Sequence, residues 1–325
     1  GQEFAIPANR RYTTLSGYRR LLEQKLDAVV IESPPYFHPE QAAAGIAAGK
    51  HVYLAKPVAV DVPGCQTIEA TGKAATDKKL CFLVDFQTRA NDSYREVAKR
   101  VHDGGIGKIV SCDASYACGP TFTSLDQLLR KSPTDPETRL RAWGIDKRIS
   151  GDIITEQNIH AIDVACWMLN GHPEKAYGTG GRTRDFIGDC WDHFAVIYQF
   201  PKGVFTSFNS KQVGGGFDDI QCRVYGDNGT ADTHYFGKVV LIGDDPFNGG
   251  TMTNLYTEGA VRNIGDFHKA VTQGPIDNST VAASVASNLT TILGRTAAYK
   301  GTEVTWDEML RAAEKMDPQL GGLKS

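Results

Sequence analysis

A glutamate, a histidine and an aspartate occupy positions 156, 160 and 163 of the segment GDIITEQNIHAIDVACW, residues 151–167. With about 3.6 residues per turn, an unbroken helix would set Glu156, His160 and Asp163 on one face and turn Ile159, Ile162, Cys166 and Leu169 toward a core. A carboxylate beside an imidazole is equipment for moving a proton, because histidine titrates near neutrality without large tuning. Taken alone, the same pattern would also suit a surface helix with ordinary solvated charges.

A second chemical centre lies earlier, in GKHVYLAKPVAVD, residues 49–61, with Lys56 at its heart. It follows the strand-like run DAVVIESPP, residues 27–35, and a predicted helix over about 39–48. Strand, helix and strand in that order are the alternation of a parallel α/β sheet, and ligands gather at the carboxyl ends of such strands. Ser33, Pro34, His38 and Lys56 all fall at or just beyond strand ends and would face one crevice. Pro57 fixes the chain direction immediately after the lysine. A further strand, CFLVDF (81–86), leads into Gln87, Thr88 and Arg89, which places Arg89 at the crevice or in a helix-start ion pair.

Together these motifs resemble the glucose-fructose oxidoreductase and inositol dehydrogenase family of nicotinamide-dependent sugar oxidoreductases. Ser33-Pro34 with His38 resembles the family's Thr-Pro…His loop, and GKHVYLAKP its GKHVxxEKP segment. SGDIITEQNIHAID resembles its acid- and histidine-bearing helix, and WDHFAVIYQF, residues 191–200, a segment of its sugar and glycoside subgroup. The likeness covers nearly the whole chain, with three departures. No G-x-G-x-x-G is present, although that turn lets backbone approach the cofactor pyrophosphate. Ala55 stands where the family has the glutamate of Glu-Lys-Pro, and Glu156 where many members have aspartate.

The resemblance implies a fold in the α/β plus α+β class. A Rossmann-like parallel-sheet domain, lacking its first strand, helix and second strand, would occupy residues 1–107. A substrate and oligomerisation domain on a large, mostly antiparallel open sheet would span 108–285, and helices over 286–325 would pack back on the nucleotide domain. The missing elements would belong to a longer chain or to a second one. The implied activity is oxidation of a secondary hydroxyl of a sugar or glycoside by hydride transfer to NAD or NADP. His160 would take the hydroxyl proton and Lys56 would stabilise the developing alkoxide. Glu156 would accept from the imidazole or from a sugar hydroxyl. Ser33, Pro34, His38, Lys56 and Gln87 would line the cofactor, and Arg89, Trp143, Asp192 and His193 the substrate. No metal is implied. The rival readings are a glycoside hydrolase working through transient oxidation and elimination, and a non-catalytic binding subunit. The partner is a small sugar or glycoside, with self-association into a dimer or tetramer.

Composition agrees with this reading without naming it. The 325 residues carry 35 basic and 38 acidic side chains, and a net charge of -3 offers no attraction for nucleic acid or an anionic membrane. The longest apolar runs are far short of the ~20 residues that span a bilayer. No signal peptide is evident, which points to the cytoplasm, with an exported precursor as the alternative. Seven scattered cysteines without a C-x-x-C pair argue against a disulfide framework or a zinc site. From residue 108 onward, alternating strands are expected at KIVSCDASY, KAYGTGGRTR, HFAVIYQF, GVFTSFNSK, DIQCRVYGD and GKVVLIG. Residues 125–148 read as an irregular loop, with Trp143 either a sugar platform or a loop anchor. The Ala-rich run VAASVASNLTTILGRTAAYK reads as a packing helix without chemistry.

Overall fold

The computed structural model describes residues 6–323. Its first layer comprises helix α1 (Gly17–Leu22), strand β1 (Ala28–Ile31), α2 (His38–Ala47), β2 (His51–Ala55), α3 (Val62–Asp77), β3 (Phe82–Asp85), α4 (Gln87–Ala90) and α5 (Asp92–His102). The three strands pair in parallel in the order β1-β2-β3. Local chemistry fixes the helix boundaries. Asp61 accepts the Gly64 N–H at the start of α3 (2.8 Å), and Asn91 accepts from Ser93 and Tyr94 at the start of α5. After α2 the chain turns through Gly49, whose φ of 73° suits a residue without Cβ.

The second layer continues through β4 (Ile109–Cys118), α6 (Thr123–Leu129), α7 (Pro136–Arg141), α8 (Lys147–Ser150), α9 (Ile153–Glu156) and α10 (Ile159–Met168). Strands β5 (Lys175–Gly181), β6 (His193–Gln199), β7 (Phe205–Gln212), β8 (Asp219–Gly226), β9 (Thr230–His234), β10 (Lys238–Ile242) and β11 (Phe247–Thr251) come next. The chain closes with α11 (Leu255–Gln273), α12 (Ser279–Lys300), β12 (Val304–Thr305) and α13 (Trp306–Ala312). One nine-stranded sheet runs β11-β10-β9-β8-β4-β7-β6-β5-β12, antiparallel at every junction except β4–β7. Its inner face, with Tyr116, Phe194, Val196, Tyr198, Phe208 and Cys222, is buried against α10 and α12. All seven cysteines are free and six are buried, as small apolar side chains would be.

Four expectations need correction. Residues 125–148 are not an irregular loop but carry α6, α7 and α8; Asp135 and Asp146 cap the starts of the last two. Strands β9, β11 and β12 are additional to the expected set, being short and polar or glycine-rich. The boundary at 285/286 falls inside α12, and the helices packing back on the parallel sheet begin with α11, which lies against α4 and β3. Finally, α10 is not a surface helix with a polar stripe. Ile159 through Cys166 are all buried, so His160 and Asp163 sit in the interior.

Candidate active site

The three predicted acid, base and cation residues converge, but not along one helix. Gln157 and Asn158 both hydrogen-bond back to the Ile153 carbonyl, at 2.9 and 2.8 Å, and the second of these closes an i→i−5 loop. That extra residue ends α9 at Glu156 and restarts the helix at Ile159. One inserted position rotates the downstream side chains by about 100°. The rotation takes His160 off the Glu156 face, which is why the spacing argument for a shared stripe fails.

Lys56 bridges the two layers. From the end of β2 its Nζ donates to the Glu156 backbone carbonyl at 2.5 Å and to Oε1 at 3.1 Å. Glu156 thus supplies the anion that Ala55 does not. Its other oxygen accepts from the Gln157 amide, and Gln157 Oε1 accepts from the Tyr116 hydroxyl at 2.7 Å. The carboxylate is therefore engaged by Lys56 and Gln157, and the expected Glu156–imidazole contact is replaced by another. His160 Nδ1 lies 2.9 Å from the Tyr235 hydroxyl, and the ring packs edge-on against Phe86, Tyr235 and Tyr256. Burial, reinforced by the Lys56 charge, holds its proton affinity well below that of a free histidine. A neutral imidazole beside a paired lysine is competent to accept a proton.

Other predicted residues do structural work. Asp163, fully buried, binds the Arg89 guanidinium at 2.9 Å and accepts the Ser287 hydroxyl at 2.7 Å. Arg89 also lies over the Trp167 ring, so this cation is a helix tie rather than a free sugar donor. Asp163→Ala would strand a buried guanidinium and is expected to cost about 3–5 kcal/mol of stability, measured by urea unfolding. A loss below about 1 kcal/mol would show the pair to be dispensable.

His38 is buried under the crevice instead of facing it. Nδ1 approaches the Pro57 carbonyl at 2.8 Å and Nε2 the Ser33 carbonyl at 2.6 Å, joining the loops after β1 and β2. Burial lowers its pKa to about 4. An unfolded histidine takes up a proton near pH 6.5, so the folded state forfeits the stability His38 brings as pH falls from 6.5 toward 4. The stability gap between wild type and His38→Gln should therefore shrink by about 2 kcal/mol between pH 7 and 5. A gap independent of pH would mean that the ring titrates in the fold as it does in the unfolded chain, and a gap that widens toward pH 5 that the fold holds it protonated.

Ser33 donates its hydroxyl to Gln41 (2.6 Å), so its side chain is spent within the loop. Gln87 Oε1 is buried with no protein partner among the described residues, at the carboxyl end of β3, and the neighbouring Thr88 hydroxyl lies by the Tyr235 hydroxyl. Trp143 packs on Phe122 with ring centroids 6.2 Å apart, which is the contact of a loop anchor. Asp192 accepts the Thr183 and Arg184 N–H groups at 2.7 Å each and binds His193 Nδ1 at 2.7 Å. It is a loop tie that orients His193, whose ring stays partly exposed. In register, His193 pairs with Lys211 and Lys211 with Ala117, next to Tyr116, so His193 lies at the site end of the sheet.

Sequence reasoning missed Gln157 and Tyr235, which contact the acid and the base, and Tyr116, which holds Gln157. Only Gln157 had a signal, since it adjoins the motif glutamate. The two tyrosines sit on or beside distant strands, where alternation marks burial but not a partner. Asp152 was also missed. It adopts φ 73°, accepts the Ile153 and Trp191 N–H groups and the Tyr299 hydroxyl, and is pushed up to about 6 by burial.

Comparison with known proteins places this geometry. Residues 2–86 match the oxidoreductase family with the NAD-binding Rossmann fold, and residues 94–232 match the GFO/IDH/MocA C-terminal domain. Inositol 2-dehydrogenase of Rhizobium meliloti (strain 1021) is 28% identical over 273 residues, covering 79% of this chain and 75% of the relative. Levoglucosan dehydrogenase of Pseudarthrobacter phenanthrenivorans is 28% identical over 176 residues, 51% of this chain and 40% of that one. Among solved structures, a levoglucosan dehydrogenase in complex with NADH and levoglucosan superposes with a TM-score of 0.72 at 20% identity, covering 89% of this chain and 82% of that chain. A scyllo-inositol dehydrogenase from Lactobacillus casei, with bound NAD(H) and scyllo-inositol, gives 0.68 at 19%, covering 89% and 83%. With the parallel sheet, the open sheet and the Lys56–Glu156–His160 cluster all in place, the chain belongs to the GFO/IDH/MocA family of NAD-binding oxidoreductases.

Proposed function

We propose that this protein oxidises a secondary hydroxyl of a sugar, glycoside or cyclic polyol, with NAD or NADP as hydride acceptor. The observation that carries the proposal is Lys56 held on Glu156 beside a buried, neutral His160. An ammonium has three N–H groups, and two are used on Glu156. The third remains for a substrate oxygen, whose developing negative charge it stabilises in a site largely closed to water. With Nδ1–H donated to Tyr235, the His160 Nε2 lone pair receives the hydroxyl proton.

The nicotinamide end of the cofactor fits the crevice, because the unpartnered Gln87 Oε1 offers a buried polar atom at the end of β3. Pro34 and the Ser33 backbone, with Lys56, would hold it from the neighbouring strand ends, and His38 would shape the loop from beneath. When bound, the cofactor supplies the hydride acceptor; the protein orients it and manages the proton. His193 is proposed as a substrate contact. We also propose self-association through the outer sheet face, supported by exposed Tyr177, Ile197 and Phe205 on adjoining strands.

The test is the growth of reduced-nicotinamide absorbance with a panel of inositols, hexoses and glycosides, using NAD and NADP in turn. Turnover with any of them supports the reading. Cleavage of a glycoside without net cofactor reduction would replace it with the elimination route, and no dinucleotide binding would overturn both.

A further inference from the structure

The last long helix carries more than packing. Along one face of α12, Ser287, Asn288, Thr291 and Arg295 are all buried, at spacings that place them in a single stripe. Each reaches a segment bearing a site residue. Ser287 donates to Asp163 on the helix of His160 (2.7 Å), and the Thr291 hydroxyl meets that of Thr155, next to Glu156, at 3.0 Å. Asn288 holds both backbone groups of Ala59, just beyond Lys56: its Nδ2 donates to Ala59 O at 3.1 Å and its Oδ1 accepts Ala59 N–H at 3.4 Å. Arg295 donates Nη1 to Gly151 O at 2.6 Å and Nη2 to Val60 O at 2.9 Å.

The Arg295 contacts matter most. A guanidinium is a rigid planar fork, so two carbonyls held by its two terminal nitrogens are fixed relative to each other. One carbonyl belongs to the loop that carries Lys56, and the other to the turn that starts the helix of Glu156. Burying a cation without a direct salt bridge is costly, and an apolar side chain would fill the same space more cheaply. What the apolar side chain would lack is the strut. Its rigidity is matched on the Gly151 side by Asp152, which holds a left-handed backbone in place through three hydrogen bonds.

We propose that Arg295 is a positioning residue, a strut between the Lys56 loop and the Glu156 turn that sets the Lys56–Glu156 contact across the two layers. The proposal rests on Lys56 being the catalytic cation. Arg295→Lys keeps the charge but reaches one carbonyl at a time. It should lower kcat at least about ten-fold, leaving KM for the sugar and NAD affinity, read by fluorescence titration, within about two-fold. In a Lys56→Met background the same change should lower kcat no further, because the strut acts through Lys56. An equal fall in both backgrounds, or an unchanged kcat, overturns the proposal.

A second readout needs no turnover. In protein grown with lysine labelled with 13C at Cε, the Lys56 signal, assigned by its loss in Lys56→Arg, should move in Arg295→Lys, and an unmoved signal would overturn the strut. This decides the matter even if no sugar is oxidised, which would defeat the functional reading alone. Should Arg295→Lys fail to fold, Arg295→Gln, a shorter side chain that can still donate to one of the two carbonyls, carries the same pair of measurements.

Discussion

His160→Ala is expected to lower kcat by about 10²- to 10⁴-fold while the fold and NAD binding persist. The ring sits inside a wall of Phe86, Tyr235 and Tyr256, with one nitrogen on the Tyr235 hydroxyl, and the nearby Glu156 carboxylate is already engaged by Lys56 and Gln157. Burial and Lys56 keep the imidazole neutral well below pH 6.5, so the acid limb of kcat/KM for the wild type should lie below that of an ordinary histidine. In the variant that limb should vanish, and added imidazole should restore part of the rate. A variant retaining more than about a tenth of wild-type kcat would remove His160 from the proton path.

Lys56→Met should lower kcat by about 10²- to 10³-fold, since it removes a charge aimed at an alkoxide that exists only as the reaction proceeds. It also leaves the Glu156 carboxylate buried without its partner, and stability should fall by about 3–5 kcal/mol. The two effects separate in Lys56→Met/Glu156→Gln, where the stranded charge is gone. Unfolding by urea should return toward wild type, whereas kcat should stay low. Recovery of kcat along with stability would reduce Lys56 to a structural ion pair.

Much of this site is legible in the sequence. Lys56, Glu156 and His160 stand out by spacing and by motif likeness, and the strand ends that carry Ser33 and Gln87 are marked by β-branched runs broken by Pro or polar residues. Periodicity cannot reveal the i→i−5 turn at Asn158, because one inserted residue leaves local composition unchanged while it rotates every side chain beyond it. Arg89, Asp192 and His38 resemble ligand contacts because charged and imidazole side chains near a crevice read alike whether they face it or brace it. Their partners, Asp163, the Thr183–Arg184 amides and the Pro57 carbonyl, are set by tertiary packing. The polar stripe of α12 is hidden for the opposite reason. Ser, Thr and Asn among alanines suggest a bland helix until the partners they serve are in view.

The outer edge of β3 is finished by side chains from far along the chain: Asn278 Oδ1 accepts the Phe82 N–H at 2.7 Å and the Thr280 hydroxyl the Val84 N–H at 3.2 Å. Synthesis runs from the amino terminus, so the ribosome must add nearly two hundred residues after β3 before these caps emerge. Throughout that interval the nascent sheet presents bare N–H groups, the kind of edge on which strands of neighbouring chains assemble. Slow translation or a stop before residue 278 would thus yield aggregates rather than a soluble half-enzyme, and chaperone cover would be needed most while the second layer is being made.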